Sequence, residues 1–427
     1  MRPYEGYVYA YPHKTAYRPL DPRPHLKEVW AGERPGALYV HIPFCEMRCG
    51  FCNLFTRTGA PEELVTAYLD TLERQAREVR ECLEETAFDT AAFGTAAIGG
   101  GTPTYLSARE LTRLFDLTEQ AMGVDLARVP LSVETSPATA TPDRLSVLAE
   151  RGTARVSIGV QSFVPEEARS AVRPQKRAEV DAALDAIRAS GVPVLNIDLI
   201  YGIDRQTPRS WRYSLDTALG WRPEEIYLYP LYVRPLTGLG KQGRAWDDQR
   251  LELYRQGRDH LVAAGYEQVS MRMFRLPGTP SAGTDYCCQT DGMVGLGCGA
   301  RSYTSGLHYS FEYAVGARHV RSIIDDYVTR TDFDVANVGF ALTPDERGRR
   351  HLIQSLLRAE GMSRPLYAAR FGNDVLDDFP LDAFASWLTI TDETITLTPE
   401  GLAHSDAIGP ALFSPRVRAL MEAYEAC

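Results

Sequence analysis

From about residue 37 to residue 305, short runs rich in β-branched and aromatic residues alternate with longer stretches of helical periodicity. This alternation constrains the fold more than any other feature. Parallel strands need a crossover of a dozen residues or more, and a helix is the usual one. Strands are expected at Ala37 to Phe44, Thr95 to Gly99, Pro130 to Thr135, Arg155 to Gln161, Val192 to Tyr201 and Glu225 to Leu231, with a weaker seventh at Glu267 to Phe274. Between the first two, Glu62 to Glu84 carries Leu64, Tyr68, Leu72, Ala76 and Val79 at helical spacing. Helix starts are signalled by a capping box at Ser107 to Glu110 and by Thr141-Pro142 and Thr207-Pro208, a cap residue before a first-turn proline. Gly152 and Gly191 sit where helices should stop. Six such units predict an α/β chain, either a partial (βα)6 TIM-type barrel or an open doubly wound sheet. In both, ligands bind at the C-terminal ends of the strands.

After about residue 310 the pattern changes. Phe340 to Gly361 reads as a helix, followed by Leu366 to Phe371 and Phe384 to Leu388. Ile390 to Leu397 reads as a short strand pair around Asp392-Glu393, and Val417 to Tyr424 as a closing helix. The expected organisation is an N-terminal arm (1–36), a barrel (37–310) and a C-terminal helical, winged domain (311–427). The arm holds Tyr4, Tyr7, Tyr9, Tyr11 and Tyr17 among prolines, and either covers a site or serves as a packed strap. With 46 Lys and Arg against 56 Asp and Glu, net charge −10, a nucleic-acid partner is not expected, so the winged domain is read as a lid over the barrel mouth. No run of eighteen apolar residues exists and the first residues lack an apolar core, so neither a membrane span nor a signal peptide is expected. A cytoplasmic protein and a monomer are expected.

Eight cysteines are too sparse for a disulfide scaffold. Cys45, Cys49 and Cys52 form a CxxxCxxC loop directly after the first strand, where a barrel puts its chemistry. Three thiolates on one short loop can hold three irons of a [4Fe–4S] cluster and leave the fourth open. The alternative is a structural zinc site with His41 or a distant residue as fourth ligand. Cys287, Cys288 and Cys298 form a looser group, read as cleft-lining or packing residues, with an auxiliary cluster or haem ligation as further alternatives. Cys82 and Cys427 stand alone.

The segment Tyr39 to Asn53, YVHIPFCEMRCGFCN, resembles the radical S-adenosylmethionine (SAM) superfamily, and within it the oxygen-independent coproporphyrinogen oxidase (HemN-like) branch. The resemblance continues in order through Gly99-Gly100-Gly101-Thr102-Pro103-Thr104, Val133 to Pro137, Arg155 to Phe163, Asn196 to Gly202, Gly295 to Ala300 and the C-terminal stretch to Gly401. It implies a partial barrel of the radical SAM type. It also implies one [4Fe–4S] cluster on Cys45, Cys49 and Cys52, whose open iron chelates the amino and carboxylate groups of SAM. One-electron cleavage then gives methionine and a 5′-deoxyadenosyl radical that takes hydrogen from carbon. An electron donor such as flavodoxin or ferredoxin is implied as partner. The resemblance further implies that Gly100, Gly101, Thr102, Glu134, Gln161, Arg173 and Asp198 bind SAM, with Tyr39 and Phe51 packing on the cluster or adenine. Leu231 and Arg301 would neighbour a second SAM.

The oxidases carry a fourth cysteine two residues after the triplet, and here that position is Leu54. Relatives without it include enzymes that transfer methyl or methylene groups from a second SAM, and haem chaperones. The chaperones carry a histidine-asparagine-tyrosine-tryptophan stretch before the glycine-rich turn; here it is Asp285-Tyr286-Cys287-Cys288-Gln289-Thr290-Asp291. C-methyl or methylene transfer is therefore the first expectation, propionate decarboxylation the second and haem carriage the third. The substrate is expected to be a small molecule, a peptide or a tetrapyrrole.

Overall fold

The computed structural model describes residues 2–234, 237–240, 248–280 and 292–425. The six expected strands form at Ala37–Ile42, Thr95–Gly100, Leu131–Thr135, Thr153–Gln161, Val194–Tyr201 and Glu225–Pro230. They pair in parallel and lie side by side in chain order. A doubly wound sheet would reverse that order at a switch point, so this is a partial (βα)6 barrel. Period-two alternation sorts the first strand: Leu38, Val40 and Ile42 are fully buried in the core, while Tyr39 and His41 are in ring contact with each other on the opposite face.

The helices between the strands follow their sequence signals. Glu62–Glu84 buries Tyr68, Leu72, Ala76 and Val79 on one face. Ala108–Gln120 starts on a complete capping box, Ser107 accepting from Glu110 N–H while the Glu110 carboxylate accepts from Ser107 N–H. Gly191 ends Arg177–Ser190 in the left-handed conformation at φ +79°, where a side chain would be strained.

Three expectations are corrected. The seventh strand is not a barrel strand: Glu267–Gln268 and Met273–Arg275 form a hairpin, and Met273–Arg275 runs antiparallel to the sixth strand. On the other side of the sheet, Met293–Leu296 runs parallel to Ala37–Ile42. Its glycines masked it as a turn. Phe340 lies in a strand, Val338–Ala341, and the helix begins at Pro344, where Thr343 accepts from Glu346 N–H, and ends at Leu356. The Thr-Pro signal that started two barrel helices also starts this one, and the apolar pair Phe340 and Leu342 belongs to the preceding segment.

Beyond Met293–Leu296 the sheet continues antiparallel through Arg301–Tyr303, Leu307–Ser310 and Val338–Ala341 to Arg18–Pro19 of the arm. One core holds the barrel and the helix Ala317–Thr329. A second gathers Leu352, Leu356, Tyr367, Ile395 and Val417 with Tyr11, Ala16 and Tyr17 from the arm. A small three-stranded sheet of Met362–Ser363, Thr394–Leu397 and Leu388–Ile390 forms the wing. No helix among the described residues is long and apolar enough to cross a membrane.

A buried ion pair ties these parts together. Arg272 donates to Asp406, with side chains only 8% and 2% exposed, and Tyr232 O–H donates to the same carboxylate oxygen at 2.7 Å. Arg272 lies 3.8 Å from the Tyr7 ring centre, and the Asp406 carbonyl accepts N–H bonds from Glu5 and Gly6. Asp406→Asn leaves the Arg272 charge buried without its counter-ion. We expect it to lower unfolding free energy by about 3–5 kcal/mol, measured by urea denaturation, while Glu360→Gln at the exposed Arg358 pair changes it by less than about 1 kcal/mol.

Candidate functional site

The cysteine loop leaves the first strand and is gripped from two sides. On one side the end of the second strand lies against it. Gly101 N–H donates to Ile42 O and Thr102 N–H to Phe44 O, both at 2.8 Å. This approach needs glycine: a Cβ on Gly101 would stand 2.6 Å from Phe44 O and 3.0 Å from Cys45 Sγ. On the other side Gly50 N–H donates to Ala171 O at 3.0 Å, and Leu239 N–H donates to Gly50 O at 2.8 Å. Phe51 packs there against an apolar cluster of Ala171, Ile200, Ile203, Leu231 and Leu239.

Each thiol has a neighbour that donates to sulfur or can. Thr102 Oγ1–H donates to Cys45 Sγ at 3.5 Å, and Arg173 Nη1–H donates to Cys49 Sγ at 3.0 Å. The Thr56 hydroxyl lies 3.8 Å from Cys52 Sγ. Burial pushes the Cys45 thiol up to about 12, and also raises Cys52, with the neighbouring loop thiols adding to both. Cation binding would reverse that by drawing off the protons.

Three soft thiolates on one short loop suit the irons of a [4Fe–4S] cluster, which takes one thiolate per iron. His41 is unsuited as a zinc ligand beside them. Its Nε2 lies 3.0 Å from Phe55 O and its Nδ1 3.2 Å from the Tyr39 hydroxyl, so both ring nitrogens are engaged. The network assigns the proton to Nε2, since a carbonyl only accepts. Burial lowers the His41 pKa to about 4, so the ring is neutral.

Inside the strand ends lies a recess of about 620 Å³, including its open mouth, lined by Tyr39, Gly100, Glu134 and Arg301 among others. Glu134 accepts from Gly100 N–H at 3.0 Å. Its carboxylate is exposed to this recess yet enclosed by protein, and that desolvation raises its pKa. A Cβ on Gly99 would meet it at 2.9 Å. Asp198 accepts from Asn196 Nδ2–H at 2.7 Å, and burial raises its carboxyl to about 7. Arg155 and Glu134 both act on its charge. Gln161 sits at φ +70° in a bulge at the end of the fourth strand, and Arg173 Nη2–H donates to Gly159 O at 2.6 Å beside it.

Thus Tyr39, Gly100, Glu134 and Arg301 share one recess, Gly101 and Thr102 meet Cys45, and Arg173 meets Cys49. Leu231 is only 2% exposed within the apolar cluster, and its N–H and C=O are taken by Tyr201 O and Arg250 Nη1. Cys298 is buried, 4.0 Å from the Tyr68 hydroxyl, with its pKa raised by burial. Cys287, Cys288 and Cys427 lie outside the described residues. Among the remaining histidines, His308 meets Arg350 at 2.8 Å, His260 meets Asp216 at 2.7 Å, and His351 packs on Tyr367 and Phe371. Sequence reasoning missed Asn196, which strand periodicity two residues before Asp198 signals. It also missed Arg155, which pairs with Glu225 at 2.7 Å, and Lys14 of the arm, which lines the recess and has no periodic signal.

Residues 39–218 match the model of the radical SAM superfamily. That stretch is therefore a domain of the radical SAM type. It is 27% identical over 427 aligned residues to oxygen-independent coproporphyrinogen III oxidase of Pseudomonas aeruginosa, covering 95% of this chain and 88% of that one. It is 29% identical to the enzyme of the same name from Paracoccus denitrificans, covering 91% of each. It is also 27% identical to the haem chaperone HemW of Bacillus subtilis, covering 80% of this chain and 88% of that one. Coproporphyrinogen III oxidase (HemN) of Escherichia coli has the same fold, with a TM-score of 0.75 at 24% identity over 94% of this chain and 93% of that one. A radical SAM domain implies a [4Fe–4S] cluster and SAM.

Asp198 generates a pH test. Folded, it keeps its proton to about pH 7, whereas its ordinary value is 3.8. The folded state therefore favours the protonated form, and its stability falls as pH rises from about 4 to about 7. Asp198→Asn lacks that loss. Urea midpoints under argon should show the variant gaining on the wild type between pH 5 and pH 7.5.

Proposed function

We propose that this chain is an enzyme that cleaves SAM reductively at a cluster on Cys45, Cys49 and Cys52 and abstracts hydrogen from carbon of an organic substrate in the recess. The observation that carries this reading is the contact of the cysteine loop with a side-chain-free strand end, beside the Glu134 carboxylate. When bound, the cluster and SAM supply one-electron sulfonium cleavage and hydrogen-atom abstraction.

The chain's own residues do the rest. Gly100 and Gly101 keep the approach to the loop clear for the methionyl part of SAM, and Glu134 suits its amino or ribose groups. Thr102 and Arg173 donate to the Cys45 and Cys49 sulfurs, which spreads thiolate charge and tunes the cluster. Arg173 is bound to sulfur and to Gly159 O in this arrangement, so engaging a SAM carboxylate would use its remaining guanidinium capacity. Neutral His41 holds Tyr39 in place at the rear of the recess. The arm and the C-terminal domain exclude water.

For the later step, C-methyl or methylene transfer needs a second SAM. Arg301 faces the recess and suits a carboxylate, but Leu231 lies in the apolar cluster with its backbone groups engaged, so support for the second SAM rests on Arg301. Oxidative decarboxylation of a propionate-type acid is favoured by the names of the relatives and by the cations in the recess. Leu54, 49% exposed at the position of the oxidases' extra cysteine, weighs against it.

Reconstitution under argon should give about four irons per chain, and dithionite with SAM should release 5′-deoxyadenosine. Cys45→Ala, Cys49→Ala and Cys52→Ala should each lose the brown chromophore and at least 99% of that release. S-adenosylhomocysteine among the products marks methyl transfer, and carbon dioxide marks decarboxylation. Haem uptake with no SAM turnover would overturn the enzymatic reading in favour of a chaperone.

A further inference from the structure

Three cations gather where the arm crosses the barrel mouth. The Lys14 ammonium lies 3.4 Å from the centre of the Tyr313 ring and 5.8 Å from that of Tyr9. The Arg301 guanidinium lies 4.8 Å from the Tyr9 ring centre and donates to its hydroxyl at 3.2 Å. Arg234 stands 5.0 Å from the Tyr232 ring centre. All three bear on the same point: His13 is held well below its ordinary pKa by burial and then by Lys14, Arg301 and Arg234, and Lys14 is itself pressed well below its ordinary value by burial and then by Arg301, a shift that a bound anion would reverse.

Among the described residues none of these three cations has a carboxylate within ion-pair distance. Glu134 and Glu312 line the same recess as Lys14 and Arg301, yet neither pairs with them. A chain of net charge −10 is not short of acids. Enclosed positive charge without a counter-ion is costly, and aromatic faces compensate it only in part. A ligand that brings the missing negative charge would remove that cost.

We propose that Lys14 and Arg301 form an anion clamp for the ionised acid group of the substrate, a carboxylate or a phosphate, with its apolar body against Phe311 and Tyr313. This assignment to the substrate rests on the radical SAM reading above. The two cations differ usefully: Arg301 offers a planar fork, and Lys14 a point charge on a flexible stem. The Tyr313 hydroxyl beneath Lys14 donates to Asn53 O at 2.6 Å, so the clamp would hold the acid group beside the cysteine loop. Lys14 would be a specificity-determining residue supplied by the arm rather than by the barrel.

The test uses reconstituted protein under argon and three probes of one shape: benzoate, phenyl phosphate and uncharged benzamide, titrated calorimetrically. The wild type should bind one of the two anions at least tenfold more tightly than benzamide, and which anion wins decides between carboxylate and phosphate. Lys14→Gln and Arg301→Gln should each lose at least fivefold of that preference, and Lys14→Arg should keep most of it. Circular dichroism and melting temperature show that the variants remain folded. Equal binding of anions and benzamide by the wild type overturns the clamp, as does an unaltered preference in folded Lys14→Gln. Displacement of the anion by excess SAM assigns the clamp to the carboxylate of SAM and overturns its assignment to substrate. Release of 5′-deoxyadenosine by the wild type is scored separately. Its absence, with the anion preference intact, sinks the reaction and not the clamp.

Discussion

The site depends on two peptide chains approaching more closely than side chains allow. The end of the second strand must touch the loop that holds Cys45, and the hydrogen bonds from Gly101 to Ile42 and from Thr102 to Phe44 do so only because Gly101 has no Cβ. The same close packing recurs at Gly100 and Gly299, where a Cβ would come within 2.4 Å and 2.2 Å of the His41 ring. His41 is thereby pinned flat between two glycine turns, neutral, with its proton directed to Phe55 O. Ring position and loop approach follow from one steric condition, and the tautomer from the Phe55 carbonyl.

A second condition acts at longer range. The recess is walled on one side by the barrel and on the other by Lys14 of the arm and by Ser310, Phe311, Glu312 and Tyr313. Tyr4 packs on Tyr201 and Tyr232, Tyr9 on Arg301, and Tyr11 on Phe413 with its hydroxyl bound to Glu346. The arm is thus a structural strap and a site wall together. Its charge chemistry is unlike that of the barrel interior, where Arg155 is answered by Glu225 and Arg275 shares the same acid.

Much of this was legible in the sequence because barrel strands and their helices carry local signals. Runs of β-branched and aromatic residues marked the six strands, and Ser107 and Thr207 marked helix starts. What was hidden is non-local. Met293–Leu296 becomes a strand through pairing with Ala37–Ile42, although its glycines lower strand propensity. Glu267–Phe274 has the composition of a strand but folds back on itself, because its middle turns at Val269 to Arg272. Lys14 offers no pattern at all. Its place in the recess comes from a path across the barrel mouth that only tertiary packing sets.

Weaving the arm through both cores also has a temporal consequence. Glu5 and Gly6 bond to the carbonyl of Asp406, so residues made first on the ribosome cannot dock until those made almost last have emerged. Until then the mouth of the recess lacks one wall, while the six parallel strands, complete by residue 230, can already pair. The arm that carries Lys14 therefore takes its final place only when Phe413, which packs on Tyr11, and the Leu420 carbonyl, which accepts from Arg18, have been made.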